Sequence, residues 1–399
     1  MTLLDELKRK EVWNDFLSYK TEKNQLQKRE IKQLQSFIDG EKYLDITSFG
    51  YPVKKLISKI DSNKKRTVYT YSTEETWILK LLVWLLYRYD DRISDNCYSF
   101  RRYSTTKTAF DRIQLINCLD EKHVLKIDIR DYFNSIDVPI LLEVLHEIIN
   151  DDEPLYEFMK TLLTQDRCYY NGELIEEKRG AMAGVPLASF FANIYLLSLD
   201  EMFTESYFRY SDDIIIFCDS RQQAEETFRM LKSHIEEKKL TLNMNKYAVS
   251  KPHEKWEFLG FSYHDHNIDL SDTAIRKMQG KIRRKARGLY RWRQKNGYSF
   301  EKTAVAMIRS FDNRFYDLTG NNEFTWTRFY FPVLTVSDGL HKLDEYMQMY
   351  LRYLYSGRHY KGNYDITYQQ LKKLGYTPLV SEYYNWKREN NELNRKNHG

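Results

Sequence analysis

The chain has 399 residues, long enough for two or three subdomains, and its 42% hydrophobic content excludes a disordered protein. A formal net charge of +5 with 30% charged residues is only mildly basic, so local charge patterning carries more information than the total. Four cysteines (Cys97, Cys118, Cys168, Cys218) lie far apart without a CxxC pair, which excludes a zinc knuckle or a disulfide framework. The opening MTLLDELKRKEVW carries no signal pattern. The longest apolar run, 77–87, contains Lys80 and is too short to span a bilayer, so a soluble, cytoplasmic chain without a membrane partner is expected.

In chain order, residues 1–60 read as helices with polar turns, because LLDELKRKEVWNDFL places apolar residues at helical spacing. Ser62-Asn63-Lys64-Lys65-Arg66 breaks the pattern as a charged turn before the strand-like TVYTY. A buried helix is expected over 73–90, opened by Ser72 or Thr73 with Glu74 and Glu75 in its first turn. HVLKIDI reads as a strand carrying Asp128 near its end. Helical patterns follow at 139–149 and 153–164, then a turn at Asn171-Gly172, then a helix after Pro186. FRYSDDIIIFCD reads as a hairpin with an acidic tip, 221–239 as a helix, and LTLN as a strand before WEFLGFSY. The remainder is mostly helical. The order β, α, α, hairpin, α, β fits a split βαβ sheet, an architecture shared by many functions, so function has to be argued from the site.

If the strand and the hairpin are neighbours, Asp128, Asp212 and Asp213 converge. Crowded carboxylates repel and need a cation, and Mg²⁺ suits such hard oxygen ligands. Two ions can activate an attacking hydroxyl and stabilise a leaving pyrophosphate. Tyr-Ser-Asp-Asp alone also suits an ordinary turn; the apolar arms Phe208 and Ile214-Ile215-Ile216-Phe217 favour acids forced to a rim. Asp131 and Asp137 read as surface or capping residues.

Beyond residue chemistry, the sequence resembles reverse transcriptases, most closely the bacterial group related to group II introns and retrons. KIDIRDYFNSI resembles their motif A, RGAMAGVPLASFFANIYLLSLD motif B, YSDD motif C, LTLNMNKYAV motif D and FLGF the primer grip. NKKRTVYTY and DNCYSFRRYSTTKTAFDRI resemble the two finger motifs. The matches run in family order over about 60–265. The resemblance implies an α+β right-hand polymerase: a helical N-terminal region (1–60), fingers (61–125), a split-βαβ palm (126–265), and a helical thumb with C-terminal extension (266–399). It implies an RNA-templated DNA polymerase using two Mg²⁺ ions, with Mn²⁺ as the alternative.

The implied roles follow position by position. Asp128, Asp212, Asp213 and the Ile129 carbonyl hold metal, and Lys246 protonates pyrophosphate. Phe133 blocks a sugar 2′-hydroxyl, which implies dNTP use. Lys65 and Arg66 bind the triphosphate, and Gly184 to Pro186 lie at the nascent base pair. Arg101 and Arg102 contact nucleic acid. The run KIRRKARGLYRWRQK, 281–295, holds eight cations and no acid, so Arg283, Arg284, Arg287, Arg291 and Trp292 are expected on a template–primer backbone. A solvated face is the competing reading for these cations.

Departures from the pattern are a missing motif-B glutamine, with Met182-Ala183 before Gly184, and the absence of a VTG thumb signature. The C-terminal YDITYQQLKKLGYTPLVSEYY resembles extensions of the unknown and abortive-infection groups, implicated in antiphage defence. Expected partners are an RNA template, including a dedicated non-coding RNA, together with dNTPs and a DNA product; oligomeric state is not encoded legibly. The alternatives are a retron-type or intron-derived enzyme and a non-catalytic RNA-binding scaffold.

Overall fold

The computed structural model describes residues 2–23, 25–44, 48–58, 65–203, 206–316 and 325–397, with side chains as far as 391. Three residues of the charged turn read from the sequence, Ser62 to Lys64, lie outside the described residues. The chain forms two compact units, Met1–Glu254 and Lys255–Gly399.

The first unit carries eight strands among the described residues: β1 (Val53–Ser58), β2 (Lys65–Thr70), β3 (His123–Asp128), β4 (Arg167–Tyr170), β5 (Glu173–Glu176), β6 (Tyr207–Tyr210), β7 (Asp213–Cys218) and β8 (Ala248–Ser250). They make two four-stranded sheets, ordered β2-β1-β4-β5 and β6-β7-β3-β8. In the second sheet the inner strands are apolar at most positions: Val124, Leu125 and Ile127 on β3 and Ile214 to Cys218 on β7 are all buried. Such runs require cover on both faces. The helix Arg221–Glu237 packs on β3 and β7, and its buried residues Ala224, Thr227, Leu231 and Ile235 recur at helical spacing.

The other sheet draws on two regions of sequence. β1 and β2 are antiparallel, while β4 joins β1 in parallel, with Tyr169 N donating to the Pro52 carbonyl at 2.9 Å. The turn at Asn171-Gly172 links β4 to β5 with φ of 53° and 90°, the two positive angles a type I′ hairpin requires.

The helix Thr73–Leu85 starts at Ser72 through a reciprocal capping box with Glu75 and passes into a 3-10 segment, Leu86–Arg92. The expected helices at 139–149 and 153–164 are Val138–Ile148 and Glu153–Thr164. The helix after Pro186 is interrupted at Leu196, giving Ala188–Tyr195 and Leu197–Glu201. The segment LTLN is not a strand. It makes one bridge, Leu242 to Ile129, and the sheet's edge strand is β8, beyond a 3-10 turn at Met244–Lys246. Alternation in LTLN mimics strand periodicity, whereas its backbone is used to hold the end of β3: Arg130 N donates to the Thr241 carbonyl and Asn243 N to the Asp128 carbonyl, both at 2.8 Å.

A buried ion pair ties the sheet to these helices. The Arg209 and Asp200 side chains are both fully buried. Arg209 Nε donates to Asp200 Oδ1 at 2.6 Å, and Tyr207 Oη donates to the same oxygen at 2.9 Å. The guanidinium also donates to the carbonyls of Ala192, Asn193 and Ser211.

The second unit opens with three antiparallel strands, β9 (Trp256–Phe258), β10 (Phe261–His264) and β11 (Asn267–Leu270). The compact-unit boundary therefore precedes the one read from the sequence at 265, and the FLGF segment belongs to the second unit. β11 is held there by Thr335 Oγ1, which accepts from Ile268 N, and by Asp269, which accepts from Gly339 N. The long helices Asp272–Asn296 and Asp338–Ser356 pack along each other. The buried Asp344 carboxylate accepts from Leu379 N and Val380 N, at the start of the helix Leu379–Asn397.

Removing one partner of a buried pair strands the other. Asp200→Ala is expected to cost about 3–5 kcal/mol of stability. Urea unfolding of the variant checks this; a loss under ~1 kcal/mol overturns the assignment of Asp200 as the counter-charge.

Candidate functional site

The antiparallel register of β3 and β7 places Asp128 directly opposite Asp213. Between β6 and β7 the chain reverses through Ser211, at φ 60°, and Asp212. Ile129 N donates to the Asp212 carbonyl at 3.1 Å, so the chain beyond β3 is held against the acidic turn. Ser211 N donates to Ser99 Oγ, and Ser99 in turn donates to Asn193 Oδ1 at 2.8 Å. The segment around Cys97 bridges Arg209 in parallel, with Tyr98 N donating to the Arg209 carbonyl at 2.9 Å.

Asp128 is buried. Its Oδ1 accepts from Asn243 Nδ2 at 2.8 Å and its Oδ2 is ion-paired with the Lys246 ammonium. Burial, then the like charges of Asp213 and Asp128, push the Asp212 carboxyl up to about 6. Burial alone would lower the Lys246 ammonium, but its hydrogen bond and charge attraction to Asp128 raise it. Among the described residues no group of three His, Cys, Asp or Glu side chains is arranged to hold a metal ion; Asp128 is occupied by Asn243 and Lys246. The donor chemistry nevertheless fits a hard divalent ion. Three carboxylates interact, burial and the two like charges push the pKa of one of them upward, and a side-chain ammonium supplies part of the counter-charge.

Next to the acids, the turn Gly180–Pro186 is pinned on two sides. Ala181 N donates to the Phe133 carbonyl at 2.7 Å, and Ala183 N to Asn134 Oδ1 at 3.0 Å. Asn134 Nδ2 donates to the Thr67 carbonyl of β2, and Tyr69 N of β2 to the Ala183 carbonyl. A Cβ on Gly180 would sit 2.6 Å from the Phe133 carbonyl oxygen, and Gly184 has φ +99° with the Tyr69 carbonyl 3.0 Å from its would-be Cβ. Close approach at the first and a left-handed backbone at the second exclude larger residues. Phe133 is half-buried, edge-on to Phe100 with centroids 6.4 Å apart.

The structure thus brings together Asp128, Ile129, Asp212, Asp213 and Lys246, and beside Asp128 on the chain it joins Phe133 to the turn that contains Gly184 and Pro186. Lys65 and Arg66 are exposed at the start of β2, the strand whose Tyr69 touches that turn. Arg101, read from the sequence as a nucleic-acid contact, is instead spent inside the unit: its guanidinium donates to the carbonyls of Asp90 and Ser94 at 2.8 and 2.9 Å. Arg102 donates its main-chain N–H to Asp90, and its guanidinium lies 5.4 Å from the exposed Tyr103 ring.

In the second unit Arg283, Arg284, Arg287, Arg291 and Trp292 are exposed on the helix Asp272–Asn296. Arg293 of the same basic run differs: it donates to the carbonyls of Leu354 and Tyr355 near the end of the helix Asp338–Ser356. Residues that sequence reasoning missed are Ser99, Asn134, Asn193, Arg209 and Asn243. Each works through a long-range contact; Asn193 stands in the motif-B run and Asn243 three residues before Lys246, and neither has a partner legible in the sequence.

Residues 47–263 match the family described as reverse transcriptase (RNA-dependent DNA polymerase), over half of the chain. The chain is 23% identical over 246 residues to the retron Ec86 reverse transcriptase of Escherichia coli, covering 59% of this chain and 69% of that protein. Among solved structures it is similar to an apo telomerase of Candida tropicalis (14% identity, TM-score 0.46, 57% of this chain and 56% of the other). It is similar also to a Candida albicans telomerase in complex with a telomeric RNA fragment (13% identity, TM-score 0.45, 82% and 64%). The chain spans less than two thirds of either telomerase, and nothing is built on those two likenesses. The chain belongs to the reverse transcriptase family: it is an α+β RNA-directed DNA polymerase related to the retron enzymes.

Proposed function

We propose that the chain extends a primer with dNTPs on an RNA template by two-metal phosphoryl transfer, and that it serves antiphage defence in bacteria. The observation that carries the chemistry is the Asp128–Asp213 register beside the turn bearing Asp212. Asp128, Asp212 and Asp213, with the Ile129 carbonyl, would hold two Mg²⁺ ions, or Mn²⁺, which supply activation of the primer hydroxyl and charge neutralisation on pyrophosphate. Lys246 keeps a proton beside the acids and is the acid for the leaving group. Phe133 excludes a 2′-hydroxyl by contact, while Lys65 and Arg66 hold the triphosphate and Gly184 to Pro186 support the nascent pair.

In right-hand terms, β3 and β6–β8 with their helices are the palm, β1 and β2 with the 86–125 segment the fingers, and the second unit the thumb and extension. The exposed cations Arg283, Arg284, Arg287 and Arg291 track a phosphate backbone. The defence role rests on the resemblance of the C-terminal YDITYQQLKKLGYTPLVSEYY to extensions of defence-associated enzymes. Relatedness to the E. coli retron enzyme favours a second reading, a retron-type enzyme with its own structured RNA. Sequencing the RNA that co-purifies with the chain separates the two readings.

Asp212→Ala with Asp213→Ala is expected to abolish primer extension while the protein stays folded, since the acids serve a rim and not the core. Activity within about tenfold of wild type, a barrier change of only ~1.4 kcal/mol, sinks the two-metal assignment.

Phe133→Ala is expected to raise rNTP incorporation relative to dNTP. Single-nucleotide extension with each substrate measures it, and an unchanged preference makes Phe133 a packing aromatic only.

Changing Arg283, Arg284, Arg287 and Arg291 to Gln should weaken template–primer binding irrespective of sequence. The slope of log affinity against log salt should flatten by about 0.7–0.9 per lost phosphate contact. Equal slopes for variant and wild type would make this helix a solvated face.

A further inference from the structure

The first unit carries an open concavity of about 760 Å³ on its surface, formed by the helix Lys28–Asp39, the 3-10 turn Lys42–Leu44 and the start of the helix Thr73–Leu85. None of the residues assigned to polymerisation lines it. Four cations do, Lys28, Arg29, Lys32 and Lys42, against one acid, Glu74, which lies 3.5 Å from Lys42. Its size is that of a small-ligand site. Phe37 and Trp77, both almost completely buried, form its apolar floor, and the Lys80 ammonium lies 4.4 Å from the Trp77 ring centroid.

The placement of these cations is unfavourable for the helix that carries them. Lys28 and Arg29 are its first two residues and Lys32 lies one turn on. The positive end of the helix dipole repels cations there, and Lys28 and Lys32 repel each other at i, i+4 spacing. The one acid of that turn, Glu30, accepts from the Gln27 N–H at 2.9 Å in a capping box. A second helix also begins at the cavity, at Thr73. Glu30 and the pair Glu74 and Glu75 offset the two helix starts and Lys42 is paired with Glu74, so the excess positive charge of the concavity sits on Lys28, Arg29 and Lys32, where an anion of several charges would relieve it. A solvated basic face would need neither the concavity nor the convergence of the two helix starts.

We propose that this cavity is a second anion site, distinct from the carboxylate site, which binds the oligophosphate of a nucleoside triphosphate or of a 5′-triphosphorylated RNA end. Three cations on the helix Lys28–Asp39 and one on the turn Lys42–Leu44 can reach different phosphates, and charge-assisted bonds of this kind are strong.

The test uses the full chain in EDTA, so that nucleotide bound with metal at the carboxylates does not contribute. Binding is measured for ATP and for one RNA oligonucleotide bearing either a 5′-triphosphate or a 5′-hydroxyl. The proteins are wild type, the Lys28→Gln/Arg29→Gln/Lys32→Gln variant, and a charge-matched Arg221→Gln/Arg229→Gln/Lys232→Gln control. Wild type is expected to bind ATP, to prefer the triphosphorylated RNA, or both. The first variant is expected to lose that binding or preference by at least about tenfold, and the control to keep it. ATP binding without an end preference assigns the site to free nucleotide; an end preference without ATP binding assigns it to RNA. The first variant should melt no lower than wild type, because the removed charges oppose the helix dipole, and it should retain primer extension. Wild type that binds neither probe, or a first variant within twofold of wild type, overturns the proposal and leaves the polymerase assignment standing.

Discussion

The acidic turn holds its place because a guanidinium is buried behind it. Arg209 sits on β6 two residues before Ser211, and its donors reach the Asp200 carboxylate and the carbonyls of Ala192, Asn193 and Ser211. A buried pair is poor evidence for stability in itself, because desolvation offsets much of the attraction. Its effect here is positional. One planar fork joins β6, the turn after it, the helix Ala188–Tyr195 and the segment Leu197–Glu201 in a single geometry, and the parallel bridge from Cys97 to Arg209 extends the arrangement to the residues before Ser99.

On that frame the site is a problem of charge. Asp128 is buried with an ammonium and an amide as partners, while Asp212 is held toward its neutral form by burial and by its two acidic neighbours. The Lys246–Asp128 contact serves the folded chain as an internal counter-ion. The same contact keeps an ammonium within the acid cluster, which lowers the repulsion among the three carboxylates. The neighbouring turn follows a different logic. Gly180 and Gly184 let backbone approach backbone, so that Phe133, Asn134 and β2 converge without a large side chain between them.

Positive charge is divided between the two units by the same reasoning. In the second unit the exposed arginines of the helix Asp272–Asn296 form a continuous stripe, but Arg293, indistinguishable from them in sequence, binds the carbonyls near the end of the neighbouring helix. Arg101 shows the same effect in the first unit. An arginine in a basic run has five donors, and whether they face solvent or a carbonyl is decided by what packs beside it.

The sequence by itself determined most of the elements and which residues carry charge to their ends, but its pattern suggested helices over residues 1–60, where Val53–Ser58 is the strand β1, paired to β2 and β4. Periodicity and capping predicted helices at 73–90, 139–149, 153–164 and 221–239, and helices form at 73–85, 138–148, 153–164 and 221–237. The apolar arms around Ser211-Asp212 specified a hairpin, and Asn171-Gly172 specified a tight turn, because these are local preferences of backbone and side chain. The order of motifs carried the family and the three acids with it. What only the tertiary structure decided lies in contacts between distant segments: Arg209 with Asp200, Ser99 with Asn193, Asn134 with β2, and Asn243 with Asp128. It also decided that LTLN closes onto Ile129 and Asp128 without joining the sheet as a strand, and that FLGF belongs with the second unit. A buried polar group has to find a partner, and local sequence records that requirement without recording where in the chain the partner will be.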